Sequence, residues 1–327
     1  MCRITLDEHM INIVVASDKN YVPHLETLIV SIGENCRDSE RINIHIFDDG
    51  IPETNKRFIT ELSGKYSNLS FSFYSISDAE ISDLLGGSVS KDRSLMTYAR
   101  LLIPDIIDCE RALYLDVDAI VCDSLDSFYY SDMNGYAIAG VLDTNPIDRH
   151  RKVGLEDKHS YICAGMILFN LKKCREIDFL NQCVSFVKSR DGIVDAMDQG
   201  TINGVCGRQG LVKTVHPRYD VLTSLYQLSS EQIKKIYNLS FYYSDIEINE
   251  AKENPVFILF TPNMTSRPWV KNCRHPMKNE YWKYRNLTEF GEYTLQNDTR
   301  SIKLRILGVL YRNFPSVYKK IIDLRQQ

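Results

Sequence analysis

Long apolar runs are missing from this sequence: no stretch of the 327 residues approaches the roughly 18 consecutive apolar residues that a membrane-spanning helix needs. Asp7 and Glu8 stand where a signal peptide would have its apolar segment. The nine cysteines are odd in number and show no Cys-x-x-Cys spacing, which favours a reducing compartment. These absences predict a cytoplasmic protein without a membrane span.

Glycine and proline are also scarce, at 16 and 10 residues, which excludes collagen-like repeats and low-complexity disorder. No apolar strand is followed by Gly-x-Gly-x-x-Gly, which argues against a dinucleotide-dependent dehydrogenase. Basic residues are in deficit, with 39 against 43 acidic residues and a net charge of −4, so no nucleic-acid partner is expected.

Short apolar runs alternate with amphipathic segments through the first half of the chain. The β-α-β-α-β order predicts an α/β fold with a mainly parallel sheet flanked by helices on both faces. Strands are predicted at 11–16, 42–47, 69–76, 112–115, 136–142, 166–169 and 255–260, and helices at 25–33, 53–64, 178–189 and 198–204.

Residues 286–327 are predicted to form a basic amphipathic C-terminal tail. From 301 onward the tail holds six basic residues and one acidic residue, a net charge of +5. Two short helices are predicted from two apolar stripes, Ile302, Ile306, Val309 and Leu310, then Val317, Tyr318, Ile321 and Ile322. The pattern predicts binding to an anionic membrane surface through residues 301–327, and the alternative is a helix pair packed on the protein's own core.

The sharpest local feature is an Asp-x-Asp at the end of the strand predicted at 112–115. If the chain stays extended, Asp116 and Asp118 share one face and Val117 points to the other. Two such charges at roughly 6 Å repel by about 3 kcal/mol at an effective dielectric of ~20, so a base, a shared proton or a metal must offset this cost. A solvated turn is the alternative, but ligands of open α/β sheets bind beyond the carboxyl ends of strands.

Further motifs stand in order along the chain. They are Val14-Val-Ala-Ser-Asp18-Lys-Asn20-Tyr21, Met96-Thr-Tyr-Ala-Arg100, Tyr114-Leu-Asp116-Val-Asp118, Asp143, Cys163-Ala-Gly165 through Asn170, Asp198-Gln199-Gly200 and Arg267-Pro-Trp269. Over about residues 11–285, the chain thereby resembles the family 8 glycosyltransferases. These are retaining enzymes of the GT-A fold that use UDP-sugars, and they include bacterial galactosyl- and glucosyltransferases of lipooligosaccharide and capsule synthesis.

The resemblance implies a GT-A (Rossmann-like) domain over 11–285 and a role for each matched position. The implied nucleotide-sugar-binding residues are Ala16, Ser17, Asp18, Asn20, Tyr21, Arg100, Asp116, Val117, Asp143, Cys163, Asp198, Gln199 and Arg267. Tyr21 would stack on uracil, and Arg267 would lie beside the diphosphate. Asp116 and Asp118 would bind Mn²⁺ or Mg²⁺, and the implied catalytic residues are Gln199, Asp198 and Arg100. Gln199 would lie near the anomeric carbon, opposite the leaving group.

Three positions depart from the family pattern. Cys163 stands where the family usually has Asn, and Gly200 stands where it usually has a second Asp. The third metal ligand, a His expected near Leu259 to Thr261, is missing. His216 and His275 precede prolines in other segments, and for each a structural role is expected.

The function expected from the resemblance is transfer of galactose or glucose from UDP-galactose or UDP-glucose to a glycan or lipid-linked oligosaccharide acceptor. The departures leave open a degenerate family member that binds nucleotide-sugar, or a partner transferase, without turnover. A third hypothesis is a haloacid-dehalogenase-like phosphatase, because Leu115-Asp-Val-Asp118 matches its nucleophile motif. That family carries the motif on its first strand, whereas here three predicted strands precede it.

Overall fold

The computed structural model describes residues 10–37, 41–87, 95–262, 264–291 and 295–326. The strands among them are β1 (Met10–Asp18), β2 (Arg41–Asp49), β3 (Leu69–Ser75), β4 (Arg111–Leu115), β5 (Ala119–Val121), β6 (Ile138–Gly140), β7 (Met166–Asn170), β8 (Val212–Thr214), β9 (Val221–Leu222) and β10 (Phe257–Leu259). The α-helices are α1 (Val22–Asn35), α2 (Glu53–Lys65), α3 (Asp78–Leu84), α4 (Ile103–Ile106), α5 (Asp126–Tyr129), α6 (Ile147–Lys152), α7 (Leu171–Glu176), α8 (Phe179–Lys188), α9 (Met197–Cys206), α10 (Ser230–Tyr237), α11 (Asp245–Glu253), α12 (Lys278–Arg285), α13 (Ile302–Asn313) and α14 (Pro315–Gln326). A 3₁₀ helix spans Leu95–Leu102.

The central sheet has seven strands in the order β3-β2-β1-β4-β7-β6-β8. The first four run parallel to one another, β8 is parallel to β6, and β7 is antiparallel to both of its neighbours. The prediction of a mainly parallel sheet flanked by helices is therefore confirmed. A smaller sheet has the order β5-β10-β9.

Two apolar cores lie on the two faces of the central sheet. Alternate residues of β1 enter different cores, Ile13 and Val15 one and Val14 the other. This is the alternation that a strand covered on both faces requires. Helix α1, with Pro23 in its first turn, is buried on nearly all sides between the sheet and α12.

The antiparallel strand β7 brings a further segment to the functional edge. Its first residue, Met166, pairs with Leu115, the last residue of β4. An antiparallel strand begins at the edge where its parallel neighbours end, so Cys163 to Gly165 lie close to the Asp116 exit. The backbone N–H of Asp116 donates to the carbonyl of Gly165 at 2.8 Å.

Several predicted strands are shorter in the structure than the sequence suggested. The strand predicted at 136–142 is reduced to Ile138–Gly140, and the one at 255–260 to Phe257–Leu259. The chain does not stay extended through the Asp-x-Asp, because it bends after Leu115 and enters the smaller sheet as β5. Asp116 and Asp118 therefore do not share the face of one strand.

The tail forms the two predicted helices, α13 and α14, which pack on each other and, through α14, on α10. Leu307 and Tyr311 are buried, and the Tyr311 hydroxyl lies 2.7 Å from that of Tyr237 in α10. Ile302 and Ile306 on α13 are 74% and 57% exposed. One face of the tail thus packs on the protein, and another does not. Among the described residues, no helix combines the length and apolarity needed to cross a membrane.

Candidate functional site

A cleft of about 320 Å³ opens at the carboxyl ends of β1 and β4. The residues lining it that the sequence indicated are Ala16, Ser17, Asp18, Tyr21, Arg100, Asp116, Val117, Asp118 and Arg267. Met96, Thr97, Tyr114 and Met197 also line it and had not been assigned a role. Met96, Thr97 and Tyr114 lie within the motifs that carry the family resemblance, and Met197 directly precedes the motif that begins at Asp198. These motifs could therefore have indicated all four residues.

The exit of β1 is shaped by Asp18. Its carboxylate accepts hydrogen bonds from the backbone N–H of Asn20 at 2.7 Å and of Tyr21 at 3.0 Å, which closes the turn into α1. The Asn20 amide is exposed and bonds Asp18 rather than lining the cleft. The Tyr21 ring is 37% exposed at the mouth of the cleft, where it is available for stacking.

Asp116 is held by Arg100. The Arg100 guanidinium donates to Asp116 Oδ1 at 2.8 Å, pairs with Asp198 at 3.0 Å and lies over the Tyr114 ring. Burial disfavours the charge of Arg100, but Asp116 and Asp198 outweigh it and raise the Arg100 pKa. Burial raises the pKa of Asp116 to about 7, and Asp118 adds to the rise while Arg100 opposes it. Arg100 is therefore a positively charged side chain that offsets the repulsion between the two carboxylates.

Asp118 has a different arginine partner. The Arg267 guanidinium donates to Asp118 Oδ2 at 2.5 Å, to the Phe260 carbonyl at 3.3 Å and to the Tyr21 hydroxyl at 3.4 Å. Burial would lower the pKa of Arg267, but the Asp118 carboxylate raises it. The two carboxylates of the Asp-x-Asp thus each form an ion pair within the cleft.

Gln199 is not among the residues that line the cleft, although Met197 of the same helix is, and both ends of the Gln199 amide are held by hydrogen bonds. Its Nε2 donates to Asp143 at 2.7 Å, and its Oε1 accepts from the Ala164 N–H at 3.0 Å. Burial raises the pKa of Asp143 and of Asp198. Ala196 and Met197, just before and at the start of α9, both have left-handed backbone angles, at φ of 59° and 50°. Such strained residues concentrate at functional sites, and here they place Asp198 and Gln199 on the first turn of α9.

The structure gives a physical reason for one departure from the family pattern. A Cβ atom at Gly200 would lie 1.9 Å from the carbonyl oxygen of Asp195. No side chain fits at this position, so the usual Asp is excluded by the close approach of the preceding loop.

Cys163, the second departure, is buried at the start of the β7 segment. Its Sγ accepts a hydrogen bond from the Gly165 N–H at 3.4 Å. Burial and the nearby Asp220 carboxylate raise the pKa of the Cys163 thiol well above its usual range. Asp220 itself is fully buried, and neither of its carboxylate oxygens has a hydrogen-bond partner among the described residues. No motif in the sequence pointed to Asp220.

The two positions considered for the missing histidine differ in their surroundings. Leu259 is buried in β10 against Gly165, whereas Thr261 lies beyond the end of β10 and is half-buried. His216 pairs with Glu250 at 3.2 Å, and His275 packs against the rings of Tyr226 and Phe260. Neither histidine is among the residues that line the cleft.

The residues present fit a divalent cation that takes part of its coordination from a ligand or water. Asp116 Oδ2 and Asp118 Oδ1 bond no described residue, and carboxylate oxygens suit Mn²⁺ and Mg²⁺. Within the described residues, no group of three or more His, Cys, Asp or Glu side chains is arranged to hold a metal. The pair would therefore provide two protein ligands, and the part of the chain that the structure describes offers no third.

The sequence pattern of Glycosyl transferase family 8 matches residues 12–273 of this chain. The chain belongs to this family. Its fold matches that of the galactosyltransferase LgtC, solved in complex with donor and acceptor sugar analogs, with a TM-score of 0.69 over 85% of this chain and 96% of LgtC at 24% identity. The prediction of a GT-A fold is thereby confirmed.

Curated relatives include General stress protein A of Bacillus subtilis, 24% identical over 290 residues, 87% of this chain and 96% of the relative. Lipopolysaccharide 1,2-glucosyltransferase of Escherichia coli is 22% identical over 276 residues, 83% of this chain and 76% of the relative. Glycosyltransferase GlyB of Streptococcus pneumoniae is longer, and this chain spans 64% of it at 26% identity. Family membership establishes a glycosyltransferase and sets aside the phosphatase hypothesis.

Proposed function

We propose that this glycosyltransferase moves galactose or glucose, with retention of configuration, from UDP-galactose or UDP-glucose to a glycan or lipid-linked acceptor. The observation that carries the proposal is the fixed Gln199 amide at the same sheet edge as the Asp-x-Asp, since Gln199 bonds Ala164 and Asp116 bonds the adjacent Gly165. One donor would place its diphosphate at the carboxylate pair and its sugar at the amide. The names of LgtC and of the Escherichia coli glucosyltransferase support a hexose donor.

The nucleoside end of the donor is assigned to the β1 exit. Ala16, Ser17 and Asp18 would hold uridine, with Asn20 bracing the turn, and the exposed Tyr21 ring would stack on uracil. Val117 lies between the carboxylates and faces the cleft beside them.

The diphosphate is assigned to the carboxylates and the arginines. Asp116 and Asp118 would hold Mn²⁺ or Mg²⁺, which when bound offsets negative charge on the departing UDP. Arg100 bonds Asp116 and Asp198, and its positive charge at the cleft would pair with the donor. Arg267 supplies positive charge beside the diphosphate.

The sugar is assigned to the residues around Gln199. Asp143 and Asp198 would bind sugar hydroxyls, and Gln199 would lie at the anomeric carbon on the side opposite UDP. Its amide is already oriented by Asp143 and Ala164, so it needs no reorganisation when charge develops there. Cys163 has a buried thiol where the family usually has the amide of Asn. A thiol donates hydrogen bonds weakly, so we expect fewer hydrogen bonds to the sugar from this position.

The proposed site of action is the cytoplasm, with the protein bound peripherally to the inner face of the membrane through the tail. The exposed stripe of α13 and the basic residues around it are suited to an anionic lipid surface, where a lipid-linked acceptor would also lie.

A panel of UDP-sugars and NAD⁺, with and without Mn²⁺, tests the proposal by thermal stabilisation and UDP release. We expect stabilisation and UDP release with UDP-galactose or UDP-glucose, and both lost in Asp118→Asn, whose far-UV spectrum stays native. Stabilisation by NAD⁺ alone would overturn the assignment. UDP-sugar binding without UDP release above the Asp118→Asn background would identify the degenerate, non-catalytic member instead.

A further inference from the structure

The two arginines that bind the carboxylate pair differ in how firmly they are held. Arg100 is 4% exposed and its side chain also bonds Asp198 and the carbonyls of Thr97 and Ala164. Arg267 is 26% exposed, follows the end of β10 and faces the open cleft. Apart from Asp118, its hydrogen bonds to described residues are to the Phe260 carbonyl and the Tyr21 hydroxyl, at 3.3 and 3.4 Å, and its guanidinium lies 5.6 Å from the Trp269 ring centroid.

Arg267 therefore occupies the position of a counter-ion for Asp118. A divalent cation that binds Asp118 must approach this guanidinium, because the guanidinium already contacts the same carboxylate. Two positive charges next to one half-buried carboxylate repel each other strongly. A diphosphate changes this balance, because it offers the guanidinium a second anion with matching bidentate geometry. Arg267 lines the same cleft as Asp116 and Asp118, so both anions lie within the region it faces.

We propose that Arg267 is a latch on the metal site: it blocks a divalent cation at Asp118 until a nucleoside diphosphate takes the guanidinium. The inference rests on the proposed function, because the diphosphate is that of the donor. Bound nucleotide then raises the affinity for the metal, and bound metal raises the affinity for the nucleotide by the same factor. Because the described residues offer no third protein ligand, a cation held by two carboxylates alone competes weakly with the guanidinium already bound to Asp118.

The distinguishing measurement is the affinity for Mn²⁺ in the absence of nucleotide. If Arg267 acts only by binding the diphosphate, Arg267→Gln weakens UDP and leaves the affinity for Mn²⁺ alone unchanged. If Arg267 is a latch, Arg267→Gln binds Mn²⁺ alone about tenfold or more tightly than the natural protein. The factor by which UDP strengthens Mn²⁺ binding then falls by a similar amount.

Titration calorimetry and the electron paramagnetic resonance signal of free Mn²⁺ give these affinities, using MnCl₂ with and without UDP. Arg267→Lys keeps the positive charge and should restore weak binding of Mn²⁺ alone. The matched control is Arg218→Gln, which breaks an Arg–Asp pair of 2.8 Å to Asp123 outside the cleft and should change neither affinity.

The outcomes separate this inference from the proposed function. Equal affinity for Mn²⁺ alone in the natural protein and in Arg267→Gln overturns the latch, while UDP binding with Mn²⁺ leaves the proposed function standing. Failure of the natural protein to bind UDP at any Mn²⁺ concentration overturns both.

Discussion

Single residues of the cleft take their properties from the partners that the fold gives them. Asp116 and Asp118 are two positions apart, yet one faces the buried Arg100 and the other the more exposed Arg267. The sequence indicated that a base, a shared proton or a metal must offset the repulsion between the two charges, but not that two different arginines pair with them. The two carboxylates have different partners because the chain bends after β4. The alternation of residues along a strand does not predict this bend.

The missing third metal ligand leads to the first prediction. In Thr261→His, we expect tighter Mn²⁺ binding in the presence of UDP, because Thr261 lies half-buried next to Phe260, whose N–H donates to the Asp118 carbonyl. Calorimetry of Mn²⁺ with UDP measures the effect. Leu259→His is expected instead to lose about 2 kcal/mol or more of stability, since Leu259 is buried against Gly165. Unchanged Mn²⁺ affinity in Thr261→His would mean that this site does not use a ligand from that segment.

At the scale of elements, helix α9 is positioned by a contact that only glycine allows. The second prediction compares two glycines that both lie in helices. Gly200→Ala should destabilise the protein by about 1–3 kcal/mol and weaken donor binding, because the new Cβ meets the Asp195 carbonyl and shifts Gln199.

Gly64→Ala on α2 is the matched control, since nothing lies within 4 Å of its Cβ position. This substitution should stabilise the protein by about 0.5–1 kcal/mol through helix propensity. Urea denaturation of both variants measures the two effects. A Gly200→Ala variant as stable as the natural protein would contradict the proposed reason for glycine at this position.

Helix α1 carries a carboxyl group into the core, which gives the third prediction. Glu26 is fully buried, and neither of its carboxylate oxygens has a hydrogen-bond partner among the described residues. Burial, with a contribution from Glu289, raises the pKa of Glu26 to about 9. The folded protein therefore keeps this proton between about pH 4.5 and 9 while the unfolded chain releases it, so this group lowers the free energy of unfolding as pH rises through that window.

Glu26→Gln removes the titration and keeps the shape of the side chain. Relative to the natural protein, the variant should gain about 3 kcal/mol of stability on going from pH 5.5 to pH 8. Urea denaturation at the two pH values measures the difference. The same stability difference between the two proteins at both pH values would show that Glu26 does not stay protonated in the fold.

At the scale of the whole molecule, the order of elements was predictable and their exact extents were not. Apolar runs such as 11–16 and 42–47 are buried on both faces, so their signal is strong. Short strands such as β6 and β10 depend on neighbours distant in sequence. Flanking residues form isolated bridges, such as that of Leu142 with Ile162, or single backbone hydrogen bonds, and do not extend the strands. For the same reason the buried Asp220, which reaches the site only through tertiary packing, gave no local signal.

The sequence left two alternatives for the tail, binding to a membrane surface and packing on the protein's own core, and the two are compatible in one structure. Leu307 and Tyr311 pack on the protein, so the tail is part of the folded body. Ile302 and Ile306 on the same helix remain exposed. Truncation near Asn297 would remove both faces and uncover Tyr237, so substitution on the exposed face alone is the sharper test.

The fourth prediction uses a matched pair of double substitutions. Ile302→Ser with Ile306→Ser should reduce binding to anionic vesicles about tenfold or more, because two side chains that would enter the lipid interface are lost. Ile193→Ser with Ile246→Ser removes two isoleucines that are 77% and 72% exposed elsewhere, and should leave binding unchanged.

Co-sedimentation with anionic and with neutral vesicles measures the binding of both double variants. Added salt should weaken binding to anionic vesicles, because it screens the attraction between the basic residues of the tail and the lipid. If the two double variants bind anionic vesicles as well as the natural protein does, the exposed face of α13 is not a membrane-binding surface, and the peripheral location proposed for the enzyme is wrong.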